Sequence, residues 1–177
     1  AKNSIPEGLR EDEHIKGIVI CAREIRSNYK GTTGKAFAWI DKEEYLYRDL
    51  TNRAIRQALF ELENNPEEKL HMPRAPDGTV IPDVGTVIQA YLIDSLYETK
   101  ELVEWMEKHN LPIAIRIVKG AYHSNEIRDA IREGRPVPVF KEHWQTDANY
   151  LEVARYLFEH ADSVKCIAIA SHHARTI

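Results

Sequence analysis

Four short apolar runs, each separated from the next by a longer stretch of helical periodicity, constrain this chain more than any other feature. The runs are Ala36-Phe-Ala-Trp-Ile40, Gly85-Thr-Val-Ile-Gln-Ala-Tyr91, Ile113-Ala-Ile-Arg-Ile-Val118 and Val164-Lys-Cys-Ile-Ala-Ile-Ala170. Between them, Leu46, Leu50, Ile55, Leu59 and Leu62 line one face of a helix over 43–64, whose acidic start (Glu43, Glu44) suits the positive end of a helix dipole. Leu96, Leu102, Val103 and Met106 do the same over 94–109, with Lys108, His109 and Pro112 as a stop. Residues 124–133 read as helical, closed by Gly134-Arg-Pro136, and Leu151, Ala154, Leu157 and Phe158 mark a further helix over 148–160. Strands alternating with helices predict parallel strands joined by crossover helices. Ahead of the first strand, residues 1–35 hold a helix over 9–28 (Ile15, Ile18, Val19, Ala22, Ile25) and a Gly31-Thr-Thr-Gly34 break. Residues 65–83, with Pro66, Pro73, Pro76, Pro82 and Asp77-Gly78, form a Pro-rich loop of the length used for lids, insertions or partner surfaces.

Every strand closes on polar residues: Asp41, Gln89, Arg116 with Lys119, and Ser171-His172. The C-terminal ends of parallel strands are where such folds carry their chemistry. Each residue alone has an ordinary reading. Asp41 is a candidate helix N-cap, Gln89 a satisfied core amide, and Arg116 and Lys119 solvated cations of an edge strand. Against the last reading, a cation on a buried strand is costly unless it is paired or serves a ligand. Lys119 also suits a Schiff-base nucleophile, as in an aldolase-type barrel. His172 and His173 point to opposite faces of a strand, and His-x-His and His-Glu-x-x-His spacings are absent, so no metal site is expected. No Gly-x-Gly-x-x-Gly or phosphate-loop motif follows a strand. Together, one acid, two cations, an amide and an imidazole suit an anionic or electron-accepting ligand. A non-catalytic assembly or regulatory module is the reading from another class.

Composition narrows the partners. A net charge of −4 argues against a nucleic-acid binder. No apolar run reaches the roughly 20 residues needed to span a bilayer. Cys21 and Cys166 lie in apolar segments and are expected to be buried thiols in a reducing, cytoplasmic-type compartment.

Arg116-Ile-Val-Lys-Gly-Ala-Tyr122, followed by Glu126-Ile127, resembles the signature of proline dehydrogenases, especially the domain found in bifunctional proline utilization A. Ile40-Asp41…Glu44, Val87-Ile-Gln-Ala-Tyr91, Thr146-Asp147…Tyr150-Leu151 and Ala170-Ser171-His172 continue the resemblance in the family's order over residues 36–177. It implies an FAD-dependent α/β fold, a (β/α)8 barrel of the TIM type. It also implies oxidation of L-proline to Δ1-pyrroline-5-carboxylate, with electrons passed to a quinone. By the same resemblance, Asp41 and Arg116 are catalytic, Arg116 lying near flavin N5. Tyr122 is substrate-side, and Lys42, Gln89, Lys119, Gly120, Ala121, Ser171 and His172 are cofactor-binding. His123 stands where relatives often carry Trp, and His173 where they often carry Asn. The lysine-bearing first strand of the family is not found before residue 36, and its carboxylate-clamping arginine pair would fall beyond Ile177. A complete barrel takes about 250 residues. Four β/α units are therefore expected to be about half of one, with open edges covered by the remaining barrel segment or another chain. An aldehyde dehydrogenase module is a further expected partner, and the expected location is cytoplasmic or peripheral at the inner face of the membrane.

Overall fold

The apolar runs form a single four-stranded sheet whose spatial order is its chain order, β1 (Ala38–Ile40), β2 (Val84–Gln89), β3 (Ala114–Val118) and β4 (Ile167–Ile169). All three pairings are parallel. This computed structural model describes residues 7–27, 37–66 and 72–171. Its helices are α1 (Glu7–Ser27), α2 (Arg48–Asn64), α3 (Ser95–His109), α4 (His123–Glu133), α5 (His143–Glu159) and the short α6 (Ala161–Val164). Sequential parallel strands joined by helices are the arrangement of part of a (β/α) barrel. Paired residues in a parallel ladder share a face, so the register sorts the strands into two surfaces. Ile88, Ile115 and Ile117 point to the helices and are fully buried with Ile55, Leu59, Leu62, Val103, Met106 and Leu157 in the main core. Trp39, Gly85, Val87, Gln89, Arg116, Val118 and Ala168 occupy the other face, the one a closed barrel would enclose.

Helix α1 packs on α2, and its end is anchored by charge. Arg26, 4% exposed, holds Asp83 at 2.5 Å and Glu63 at 2.8 Å, joining α1, the end of α2 and the start of β2. The described part of the Pro-rich segment is seated on the body. Met72 is in the core, Arg74 bridges to Val80, and the Gly78 N–H closes a turn on the Ala75 carbonyl. Helix α5 is the crossover that packs against β3, β4 and α3, whereas α4 is an extra helix between β3 and α5, tied through Glu126 to the Tyr45 N–H. Its Ile127 packs on the small Tyr91–Leu92–Val139 cluster.

Several boundaries and faces differ from expectation. A 3-10 turn at Tyr45–Tyr47 precedes α2, which starts only at Arg48, and Leu46 is 53% exposed. Tertiary ties override helix propensity there, since the Tyr45 N–H donates to Glu126 at 2.8 Å and Arg48 is tied to Asp94 at 2.5 Å. Helix α5 begins five residues earlier than expected, at His143, because the Gln145 side chain accepts the Glu142 N–H at 3.0 Å. Its buried stripe is Tyr150, Val153, Ala154 and Leu157, which leaves Leu151 and Phe158 exposed on another face. Both cysteines are exposed, not buried. Cys21 is turned off the Ile18–Ala22 stripe by its single-residue offset, and Cys166 lies beside edge strand β4. No helix among the described residues is long and apolar enough to cross a membrane.

Candidate active site

A cavity of 640 Å³ opens at the C-terminal ends of the strands. Its wall carries Asp41, Gln89, Arg116, Lys119, Tyr122 and Ser171, and Val87, Val118, Ala170, Gly120 and Ala121 give it apolar or small surface. Lys42 also borders it. The site residues expected from sequence thus converge here, except His172, which lies outside the described residues.

The geometry starts from a missing side chain. A Cβ on Gly85 would lie 2.5 Å from the Trp39 ring and 2.9 Å from Phe37, so only glycine lets these rings lie across β2. The Arg116 guanidinium then sits 5.1 Å from the centroid of the Trp39 ring and ion-pairs with Asp41. Asp41 is therefore the counter-ion of Arg116 and no helix cap, because α2 begins seven residues later. The buried Nε of Arg116 has no hydrogen-bond partner among the described residues.

Lys119 reaches across to Asp147 of α5 at 2.5 Å, which fixes a second positive charge at the rim. Gly120 follows with φ +128°, a conformation L side chains rarely adopt, and a Cβ there would lie 2.4 Å from the Tyr91 ring. The Lys119 carbonyl accepts the Tyr91 N–H at 2.7 Å, extending the β2–β3 ladder into this turn. Burial and the Glu126 carboxylate push the Tyr91 phenol up to about 12. His123, beyond Tyr122, is 2.8 Å from the Phe140 carbonyl through Nε2, and its ring lies between those of Tyr91 and His143 at 6.4 and 6.2 Å.

Lys42 and Gln89 are linked differently from the other wall residues. The Lys42 side chain is turned inward, 2% exposed, and its ammonium pairs with Glu98 of α3. Burial holds the Lys42 pKa below its ordinary value despite the carboxylate. The Lys42 carbonyl in turn accepts the Gln89 Nε2–H at 2.7 Å. The cavity therefore offers a mainly apolar surface, an oriented amide and two fixed cations. That set suits a planar, electron-accepting ring system with acceptor atoms at its rim.

The sequence model described as "Proline dehydrogenase" matches residues 20–177, which include all four strands and the whole cavity wall. The chain belongs to the proline dehydrogenase family. Among curated relatives, the bifunctional protein PutA of Klebsiella aerogenes is 33% identical over 95 residues, 53% of this chain and 7% of the relative. Mitochondrial proline dehydrogenase 2 of Arabidopsis thaliana is 34% identical over 94 residues, 52% of this chain and 20% of the relative. Among solved structures, proline utilization A from Bdellovibrio bacteriovorus, inactivated by N-propargylglycine, superposes with a TM-score of 0.66 at 32% identity, covering 94% of this chain and 16% of that one. A mutant of the Bradyrhizobium japonicum protein shares the fold at a TM-score of 0.77 and 23% identity, over 96% of this chain and 16% of that one. The proline dehydrogenase relatives are thus far longer than the present chain.

Trp39, Gly85, Glu98 and Asp147 shape the site, and none of them stands out in the sequence. Trp39 and Gly85 read as ordinary strand residues, and their pairing depends on strand register. Asp147 belongs to the family resemblance without a stated role. For Glu98, a lone acid in the first turn of an amphipathic helix, nothing in the sequence signals burial.

Proposed function

We propose that this chain is the flavin-binding half of a proline dehydrogenase barrel and that the complete protein oxidises L-proline to Δ1-pyrroline-5-carboxylate. The observation that carries this reading is Arg116, stacked on Trp39, paired with Asp41 and holding a buried unpartnered Nε beside the cavity. FAD, when bound, supplies the acceptor for the hydride that leaves the carbon next to the proline nitrogen, and a quinone is the onward acceptor. Gln89, Lys119, Gly120, Ala121 and Ser171 hold that group, and Lys42 contributes through its backbone. Arg116 and Lys119 supply positive charge where negative charge develops during transfer, in a site partly removed from water. Asp41 holds the Arg116 guanidinium in place, and Tyr122, 38% exposed, provides an aromatic surface toward substrate. The carboxylate of proline needs cationic partners from the remaining barrel segment, since the cations at this cavity already face Asp41 and Asp147.

The aldolase reading of Lys119 is less well supported. Its ammonium is committed to Asp147 at 2.5 Å, which suits a fixed charge better than a free amine. The deciding test is anaerobic addition of L-proline to FAD-loaded full-length protein. Flavin absorbance that bleaches supports proline dehydrogenase. Unchanged absorbance together with borohydride trapping of a carbonyl compound on Lys119 would replace it with the aldolase reading.

A further inference from the structure

Glu98 lies on α3, the layer of helices behind the sheet, yet its 5% exposed side chain is wired to the cavity wall. One of its oxygens, Oε1, accepts from Lys42 Nζ and, at 2.7 Å, from Asn52 Nδ2. The other, Oε2, is 3.8 Å from Arg48 Nε and makes no hydrogen bond among the described residues. Lys42 directly follows Asp41, so anchoring its ammonium behind the sheet fixes where β1 ends and where its own carbonyl points. That carbonyl can only accept, so Gln89 must turn Nε2 toward it, at 2.7 Å. The orientation of the Gln89 amide is thereby dictated, and its Oε1 becomes the acceptor available to a ligand.

We infer that Glu98 is a positioning residue for the cofactor: through Lys42 it sets the polarity of Gln89 and the placement of Asp41. The inference rests on the flavin reading above and assigns a function to a residue that does not line the cavity. Its physical basis is the cost of an unpaired buried charge. With Glu98 replaced by an apolar residue, the Lys42 ammonium has no counter-ion behind the sheet. The stranded ammonium moves toward solvent, either into the cavity that Lys42 borders or into the groove lined by Asn52 and Glu98, and the 41–42 segment shifts with it and releases Gln89. Removing the ammonium at the same time, in Lys42→Met with Glu98→Leu, removes the reason to rearrange.

The test uses full-length protein as wild type, E98L, E98Q and the K42M/E98L pair. FAD affinity, the visible flavin spectrum and acylation of Lys42 by an amine reagent, mapped by mass spectrometry, are measured on each. In wild type, Lys42 is expected to be protected, its side chain being 2% exposed. E98L is expected to expose Lys42 to acylation, shift the flavin spectrum and weaken FAD binding by about 10-fold or more, the size measured for outer-shell partners in metal sites. The K42M/E98L pair, which has no ammonium to strand but also no anchor, is expected to recover part of the FAD affinity lost in E98L. E98Q keeps an oxygen acceptor and covers the case in which E98L does not fold, with smaller changes in the same direction. Unchanged FAD affinity and spectrum in folded E98L or E98Q overturn the inference, as does a double variant no better than E98L. If the wild type binds no FAD, the flavin reading itself fails. Lys42 that then stays protected in E98Q also removes the lock.

Discussion

Gly120→Ala probes the turn that the site depends on, and two separable costs can be assigned to it. The first is backbone strain: φ at Gly120 is +128°, and holding an L residue in a sparsely populated region costs about 1–3 kcal/mol. The second is steric. The new methyl carbon would lie 2.4 Å from the Tyr91 ring, which is 3% exposed and packed with Leu92 and Val139. The ring cannot swing aside without repacking that cluster, and overpacking of this kind costs about 1–3 kcal/mol. Urea unfolding should therefore show a loss of about 2–6 kcal/mol at unchanged slope. In a Tyr91→Ala background the steric part vanishes, so the added cost of Gly120→Ala should fall to the strain alone. Gly17→Ala is the control. Gly17 lies inside α1, and an alanine Cβ there would have nothing within 4 Å, so the substitution should stabilise by about 0.8–1.0 kcal/mol. A Gly120→Ala protein within about 0.5 kcal/mol of wild type, the range of neutral surface changes, would show that neither cost applies at this turn. An undiminished cost in the Tyr91→Ala background would refute the steric part.

Arg26→Ala leaves Asp83 and Glu63 without their shared buried cation and should destabilise by about 3–5 kcal/mol in the same urea assay. Tyr91 gives a pH signature. Its phenol titrates near 10 when unfolded and near 12 when folded, so the folded state keeps the proton longer. The neutral phenol's contribution is complete below pH 10 and is lost as pH rises from 10 to 12. Tyr91→Phe should flatten that part of the stability–pH curve. Gly85→Ala would place its Cβ 2.5 Å from Trp39, so it should displace the indole from beneath Arg116. Tryptophan fluorescence and near-ultraviolet circular dichroism should both change, and an identical spectrum would count against the stacked arrangement.

The alternation of strands and helices was legible because it rests on periodicity, and so was the convergence of Asp41, Gln89, Arg116 and Lys119 at one end of the sheet. Each of those residues ends or follows a strand, and parallel strands bring such ends together. Faces within α5 were harder to read. Leu151 and Phe158 are as apolar as the residues that are buried, and only the docking of Tyr150 and Val153 against the sheet decides which stripe is internal. Residues that act at a distance left no pattern at all. The Trp39–Gly85 fit depends on register, and the Lys42–Glu98 pair joins positions 56 residues apart. Lys42 shows the consequence: its place at the cavity was readable, but the inward turn of its ammonium was not.

Arg116 is proposed to form the charged wall of a flavin site that accepts hydride from proline. Stopped-flow reduction of FAD-loaded full-length protein by L-proline, in wild type and Arg116→Met, tests this role most directly. Loss of one well-placed donor costs about 2.7–4 kcal/mol in comparable electrostatic sites, so flavin reduction in the variant should slow by about 10²–10³-fold. Reduction at the wild-type rate in Arg116→Met, with FAD still bound, would exclude that role for Arg116.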